Sequence, residues 1–296
     1  MRRVASTIFR CLACQCALLA LLAGAAQAAP QELYAKSDTA RVHYVNQGSG
    51  PEAVVFIHGW GCDLTFWQAQ TAALSQERRV LALDLLGFGK SDAPGVEYTQ
   101  DLLAKSLAAV LDAAGVQRAV LVAHSMGLSV AKRYIDTHPD RVAGLFIVDG
   151  AYVNLPKDEA QVQVFREMLA KPETGTPKGW RHFVAGFVGP MLTPSTSIQA
   201  REKILSAMQG APIHVAKSSM LHFMEPGGWS SATATVPVRA VYAAGPSEGR
   251  DVRGYLSTVF PGMAYEEWDN TGHFIMFDQS ERLSAAIALF AAQVLQ

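Results

Sequence analysis

The chain has 296 residues, with 25 Lys and Arg against 26 Asp and Glu, eight His, a formal charge of −1 and a half-hydrophobic composition. Its basic residues are scattered and not striped, which excludes the cationic footprint of a nucleic-acid binder.

Arg2 and Arg3, the apolar stretch from Cys11 to Gly24 and then Ala26-Gln27-Ala28 follow the grammar of a secretory signal, n-region, h-region and A-x-A site. Cleavage after Ala28 and a periplasmic or secreted location are expected. Removing residues 1–28 takes Arg2, Arg3 and Arg10 and no acidic residue, so the charge goes from −1 to −4 and 268 residues remain. That length suits one α/β domain with an insertion. The same cut removes Cys11, Cys14 and Cys16, leaving Cys62 without an internal disulfide partner, to be read as a small apolar filler. No later segment reaches the roughly 18 uninterrupted apolar residues of a membrane helix, so no integral membrane segment is expected after cleavage.

Strand-like runs follow at Arg41 to Asn46, Ala53 to Ile57, Arg79 to Leu83, Ala119 to Ala123, Leu145 to Val148, Val238 to Ala243 and Met263 to Trp268. Helical patterns alternate with them, most plainly Thr65 to Ser75, Thr99 to Ala114, Leu128 to His138 and Ser280 to Leu295. Continuous apolar strands separated by helices predict a mainly parallel sheet covered on both faces. The first two runs, joined by Gln47-Gly48-Ser49-Gly50, read as an antiparallel hairpin with His43 as an ordinary strand residue. Arg78 and Arg79 read as a solvated helix end. Alternation stops between Ala151 and Thr235, where the stretches Lys157 to Ala170, Gly179 to Met191, Ser195 to Met208 and Ile213 to Met224 are helical. Of the apolar side chains there (Trp180, Phe183, Phe187, Met191, Met208, Met220, Phe223 and Met224), half or more are expected to bond this insertion to the core. The remainder would line an apolar pocket.

Ala123-His124-Ser125-Met126-Gly127 sits between an apolar strand and a helix, the context in which a serine is held on a sharp turn as a nucleophile. Small residues two positions either side leave room for the turn, and the following helix N-terminus offers N–H groups to a developing oxyanion. A serine hydroxyl needs a base to take its proton, and His273 stands just past the last strand and before the C-terminal helix. His58 lies in a His-Gly turn, while the side chain of His124 is expected to leave the elbow in another direction, so neither is assigned as the base. No His forms a metal pattern with Cys or carboxylates, so neither metal nor cofactor is expected.

Val54 to Gly61, Asp84-Leu85-Leu86-Gly87-Phe88-Gly89-Lys90-Ser91, the serine elbow and Asn270-Thr271-Gly272-His273-Phe274 together resemble the α/β-hydrolase family, its capped esterase and lipase-like branch, over nearly the whole mature chain. The resemblance implies an α/β fold with core residues 29–150 and 236–296 and a helical cap at 151–235. It also implies Ser125 as nucleophile, His273 as general base and the backbone N–H groups of Trp60 and Met126 as the oxyanion hole. For the acid, family members usually carry Gly-x-x-Asp after the strand ending here at Ala243. Glu248 in Gly245-Pro246-Ser247-Glu248 is the nearest match. Asp149, at the end of Phe146-Ile147-Val148, is its rival, because haloalkane dehalogenases carry the acid after that strand; Asp251 is a third candidate. The implied activity is hydrolysis of a small or medium carboxylic ester. Diketone C–C hydrolysis, lactone hydrolysis and perhydrolysis share the same triad, and a ligand-binding sensor could share the same fold.

Overall fold

The computed structural model describes residues 29–38, 40–151, 159–225, 228–245 and 251–295. The expected signal at 1–28 and Glu248 lie outside the described residues.

Eight strands form one sheet: β1 (Gln31–Ser37), β2 (Ala40–Gln47), β3 (Glu52–Ile57), β4 (Val80–Leu83), β5 (Arg118–His124), β6 (Val142–Val148), β7 (Val238–Ala243) and β8 (Ala264–Trp268). Their order is β1-β2-β4-β3-β5-β6-β7-β8, parallel from β4 to β8 and antiparallel at β1/β2 and β2/β4. In β3, β5 and β6 successive residues are buried without alternation, so the sheet is covered on both faces. Helix α1 (Gln68–Leu74) packs with the C-terminal helix, and α2 (Gln100–Ala113) packs with α3 (Gly127–Thr137).

The expected hairpin between the runs at 41–46 and 53–57 does not form. Strand β2 instead pairs with β1 on one side and β4 on the other, while β3 lies between β4 and β5. Strand β1, QELYAKS, leaves its first four residues exposed at the sheet edge, so it carries no apolar pattern to announce it. Arg79 is also not a solvated helix end: its guanidinium donates to Asn46 Oδ1 at 3.0 Å and to the Ala114 carbonyl at 2.7 Å, tying the β2–β3 turn to the end of α2.

Between β6 and β7 the described residues form four α-helices and no strand: α4 (Glu159–Ala170), α5 (Pro177–Val188), α6 (Ile198–Gly210) and α7 (Ile213–Met224). Side-chain caps begin two of them, Thr176 accepting from the Gly179 N–H and Ser197 from the Ala200 N–H. After β7 come α8 (Val252–Val259), the short α9 (Ile275–Asp278) and α10 (Ser280–Val294).

Candidate active site

The carboxyl ends of β3, β5 and β6 and the loop after β8 converge on one cavity of about 380 Å³. Its core wall includes Trp60, Cys62, His124, Ser125, Met126, His273 and Phe274, and the inserted helices close it from above. Carboxyl ends of parallel strands are where open α/β sheets bind ligands, because loops there are free of the pairing that constrains the strands.

Ser125 occupies the single residue between β5 and the residue capping α3, with φ of +51°. A left-handed conformation at a non-glycine residue costs roughly 1–2 kcal/mol, and the surrounding packing sustains it here. A Cβ at Gly59 would stand 2.8 Å from the Ser125 Cβ, and one at Gly127 would stand 2.7 Å from the His58 carbonyl oxygen. Both glycines are therefore required by the close approach of the β3 and β5 loops.

His273 and Asp149 come together as one unit. The Nδ1–H of His273 donates to Asp149 Oδ2 at 2.5 Å, which leaves Nε2 as the basic nitrogen. Asp149 is itself oriented: its Oδ1 accepts the Ala243 N–H at 2.9 Å, and its own N–H donates to the Val241 carbonyl at 2.8 Å. Its φ of +41° turns the chain sharply as β6 ends. Among the described residues, Asp149 is thus the carboxylate found on the His273 imidazole, while Glu248 lies outside them. Asp251 is engaged elsewhere, capping α8 by accepting the Gly254 N–H at 2.7 Å.

Trp60 and Met126 both line the cavity, and among the described residues neither backbone N–H has a hydrogen-bond acceptor. Met126 caps α3, so its N–H lies at the positive end of that helix. The Trp60 side chain anchors its loop to the insertion: Nε1 donates to the Ala216 carbonyl of α7 at 2.8 Å, and the ring meets Trp180 and Phe187 edge-on.

Behind this loop is a buried polar hub. Asp84 accepts from His43 Nδ1 at 2.7 Å and from the N–H groups of Leu64 and Lys90 at 2.7 and 2.8 Å. Burial raises the Asp84 pKa, but the His43 hydrogen bond, the nearby His58 and the two backbone donors outweigh it and hold the carboxyl below its usual range. His43, read from sequence as an ordinary strand residue, is half of this hub. His58 is structural as expected: Nδ1–H donates to the Gly59 carbonyl at 2.7 Å, and Nε2 accepts the Leu85 N–H at 2.9 Å. Burial pushes its pKa down.

His124 departs from expectation. Its ring does not leave the site but lines the cavity, its centroid 4.6 Å from that of His273. The reason is the elbow itself: Ser125 takes the left-handed turn, so His124 remains a β5 residue with its side chain on the face beside the His273 loop. Cys62 is a buried filler of the cavity wall, its thiol pKa pushed well up by burial. More of the inserted apolar side chains reach the cavity than expected: Phe187, Met191, Met208, Met220, Phe223 and Met224 line it, joined by Phe165. Trp180 and Phe183 stack on each other and serve packing. Among the described residues no group of three or more His, Cys, Asp or Glu could hold a metal ion, and no helix is long and apolar enough to cross a membrane.

Residues 52–201 match the family model described as the alpha/beta hydrolase fold. A thermophilic esterase from Thermogutta terrifontis superposes with a TM-score of 0.76 at 24% identity, covering 90% of this chain and 100% of that chain; the likeness is one of fold. Among curated relatives, a 2-hydroxy-6-oxononadienedioate/2-hydroxy-6-oxononatrienedioate hydrolase from Burkholderia vietnamiensis is 39% identical over 115 residues, which is 37% of this chain and 40% of that protein. The dihydrolipoyllysine-residue acetyltransferase component of an acetoin cleaving system from Cupriavidus necator is 37% identical over 126 residues, 43% of this chain and 34% of that protein. The chain thus spans well under half the length of these curated relatives.

Proposed function

The chain belongs to the α/β-hydrolase fold family, and from that premise we propose that it is a serine hydrolase of uncharged carboxylic esters with small or medium apolar acyl groups. The observation that carries the reading is the His273–Asp149 hydrogen bond, with Ser125 and His273 opening onto the same cavity.

Ser125 Oγ attacks the ester carbonyl while His273 Nε2 takes its proton. Asp149 keeps His273 in the Nδ1–H tautomer and stabilises the imidazolium as it forms. The N–H groups of Trp60 and Met126 receive the tetrahedral oxyanion. Collapse expels the alcohol, which leaves with the proton from His273; a water then attacks the acyl-serine by the same route in reverse and frees the acid.

The second reading, C–C bond hydrolysis, draws on the Burkholderia vietnamiensis relative, whose named substrates are dicarboxylates. The cavity argues against carrying it over. Among the described residues lining it there is no Lys or Arg, and Met and Phe predominate. A carboxylate moved into such surroundings without a partner loses its hydration uncompensated, a cost of several kcal/mol or more. Phosphonate labelling of Ser125, with turnover of p-nitrophenyl esters beside a dienedioate, lactones and peracid formation, tests the reading. Multiple ester turnovers are expected; tight binding without turnover would make the protein a ligand binder, and preference for the dienedioate would make it a C–C hydrolase. We further propose export with cleavage after Ala28, for which N-terminal sequencing of the native protein should give Ala29; intact Met1 protein in the cytoplasm would refute it.

A further inference from the structure

His124 is a buried imidazole, 1% exposed, that the reaction scheme leaves unused. Its ring is enclosed by Trp67, His273 and Phe274. Nε2 lies 3.0 Å from the backbone carbonyl oxygen of His273. A carbonyl only accepts, so Nε2 carries the hydrogen and Nδ1 is a bare acceptor, one that has no partner among the described residues. On the other side, the His273 N–H donates to the Met191 carbonyl at 3.2 Å, on the segment that follows α5. Both backbone polar groups of His273 are thus held by elements outside its own loop, one by the nucleophile strand and one by the insertion.

We propose that His124 is a positioning residue whose Nε2–H fixes the backbone of His273, so that the imidazole stays between the Asp149 carboxylate and Ser125. The inference rests on the serine-hydrolase reading given above. His273 lies between β8 and α9, outside any strand or helix. A loop residue without ladder or helix bonds is located by the bonds its backbone makes to neighbouring elements. Displacing a catalytic group by about 1 Å can cost about 10²-fold in rate, so the placement of that backbone bears directly on kcat.

The chemistry of His124 suits the task. Burial first, and the neighbouring His273 second, push its pKa well below the usual imidazole value. A proton on Nδ1 would be buried with no acceptor. The ring therefore remains neutral while His273 becomes an imidazolium 4.6 Å away, and the clamp adds no opposing charge in the transition state. Lys or Arg could donate the same hydrogen bond only by placing a cation there.

The test compares His124→Phe, which keeps the ring's bulk and removes the donor, with His124→Gln, whose Nε2 can reach the same carbonyl. For an ester that the wild type hydrolyses, the Phe variant should lose about tenfold or more in kcat with KM within about twofold. Its phosphonate adduct should also show a shifted or lost downfield proton resonance from His273 Nδ1–H. The Gln variant should recover kcat to within about threefold and restore the resonance. Should the Phe variant not fold by circular dichroism, His124→Asn, too short to reach the carbonyl, takes its place with the same expectations. A folded donor-less variant with wild-type kcat and an unchanged resonance overturns the inference, as does a Gln variant as impaired as the Phe one. A wild type that is neither labelled by phosphonate nor active on esters overturns the serine-hydrolase reading instead, and this one with it.

Discussion

His273 and Asp149, 124 residues apart in the chain, meet at 2.5 Å where the loop after β8 crosses the end of β6. The pair is possible because β6 and β7 are adjacent and parallel, with Val148 beside Val241. Asp149 then emerges at the carboxyl edge in reach of both the Ala243 N–H and the imidazole. One oxygen is fixed by the strand next door and the other is left for the imidazole, which is how a short loop carboxylate acquires a defined direction.

Asp149→Asn should therefore cripple ester hydrolysis, by as much as about 10⁴ in kcat, since an amide cannot stabilise the imidazolium and favours the wrong tautomer. Glu248→Gln should stay within a few-fold of wild type. Steady-state kinetics of both, with circular dichroism to establish folding, decide between the two carboxylates. A crippled Glu248→Gln beside an active Asp149→Asn would return the acid to the β7 loop.

The alternation of apolar strands with helices made the parallel part of the sheet legible, because strands buried on both faces show themselves as unbroken apolar runs. Strand β1 gave no such signal: its pairing with β2 rests on backbone bonds at an exposed edge. Ser125 and His273 could be singled out because the elbow and the Gly-His-Phe turn are local in sequence, and both line the same cavity. Sequence alone could not choose between Asp149 and Glu248, because the choice depends on which loop meets His273 in space; Asp149 is seen to do so, and Glu248 lies outside the described residues. His124 was misjudged for a related reason. Adjacency to Ser125 says nothing of direction when Ser125 itself has a positive φ.

Asp84 should be the most sensitive polar position outside the catalytic set. Asp84→Ala removes the acceptor for His43 and for two backbone donors in loops flanking the site, leaving buried groups unpaired. Leaving a buried donor without its acceptor costs about 1–3 kcal/mol. Urea denaturation should show a loss of that size, and a variant within about 1 kcal/mol of wild type would mean the hub relaxes onto water.

Stability should fall as the pH drops through 6.5, before the carboxylates titrate. Both His58 and His124 are buried with pKa values held below the ordinary imidazole value, chiefly by burial. Below about pH 6.5 the unfolded chain binds protons that the folded one refuses, so unfolding gains up to about 1.4 kcal/mol per pH unit from each. The Asp84 contribution has the other window: with its folded pKa depressed, it is present above the unfolded value near 3.8 and is lost only below that. Denaturant midpoints from pH 7.5 to 5.5 should fall progressively, and His124→Gln should show a shallower slope than the wild type. A flat profile over that range would mean that both imidazoles take up protons in the folded state.

The acyl-chain limit should be set by the inserted helices and not by the catalytic floor. Met220 and Met224 both line the cavity from α7, the helix that Trp60 grips through the Ala216 carbonyl. Met side chains are unbranched and adaptable, which suits a linear apolar chain whose length can vary. Met224, only partly buried, can be enlarged with less strain than a fully enclosed neighbour. Met224→Trp should leave hydrolysis of the p-nitrophenyl acetate little changed, because the carbonyl still reaches Ser125, while kcat/KM for longer acyl chains falls by about tenfold or more through lost apolar contact at roughly 0.8 kcal/mol per CH₂. The measurement is kcat/KM across p-nitrophenyl esters of graded chain length. An unchanged chain-length profile would show that the acyl group lies elsewhere and that the α7 methionines face the leaving group.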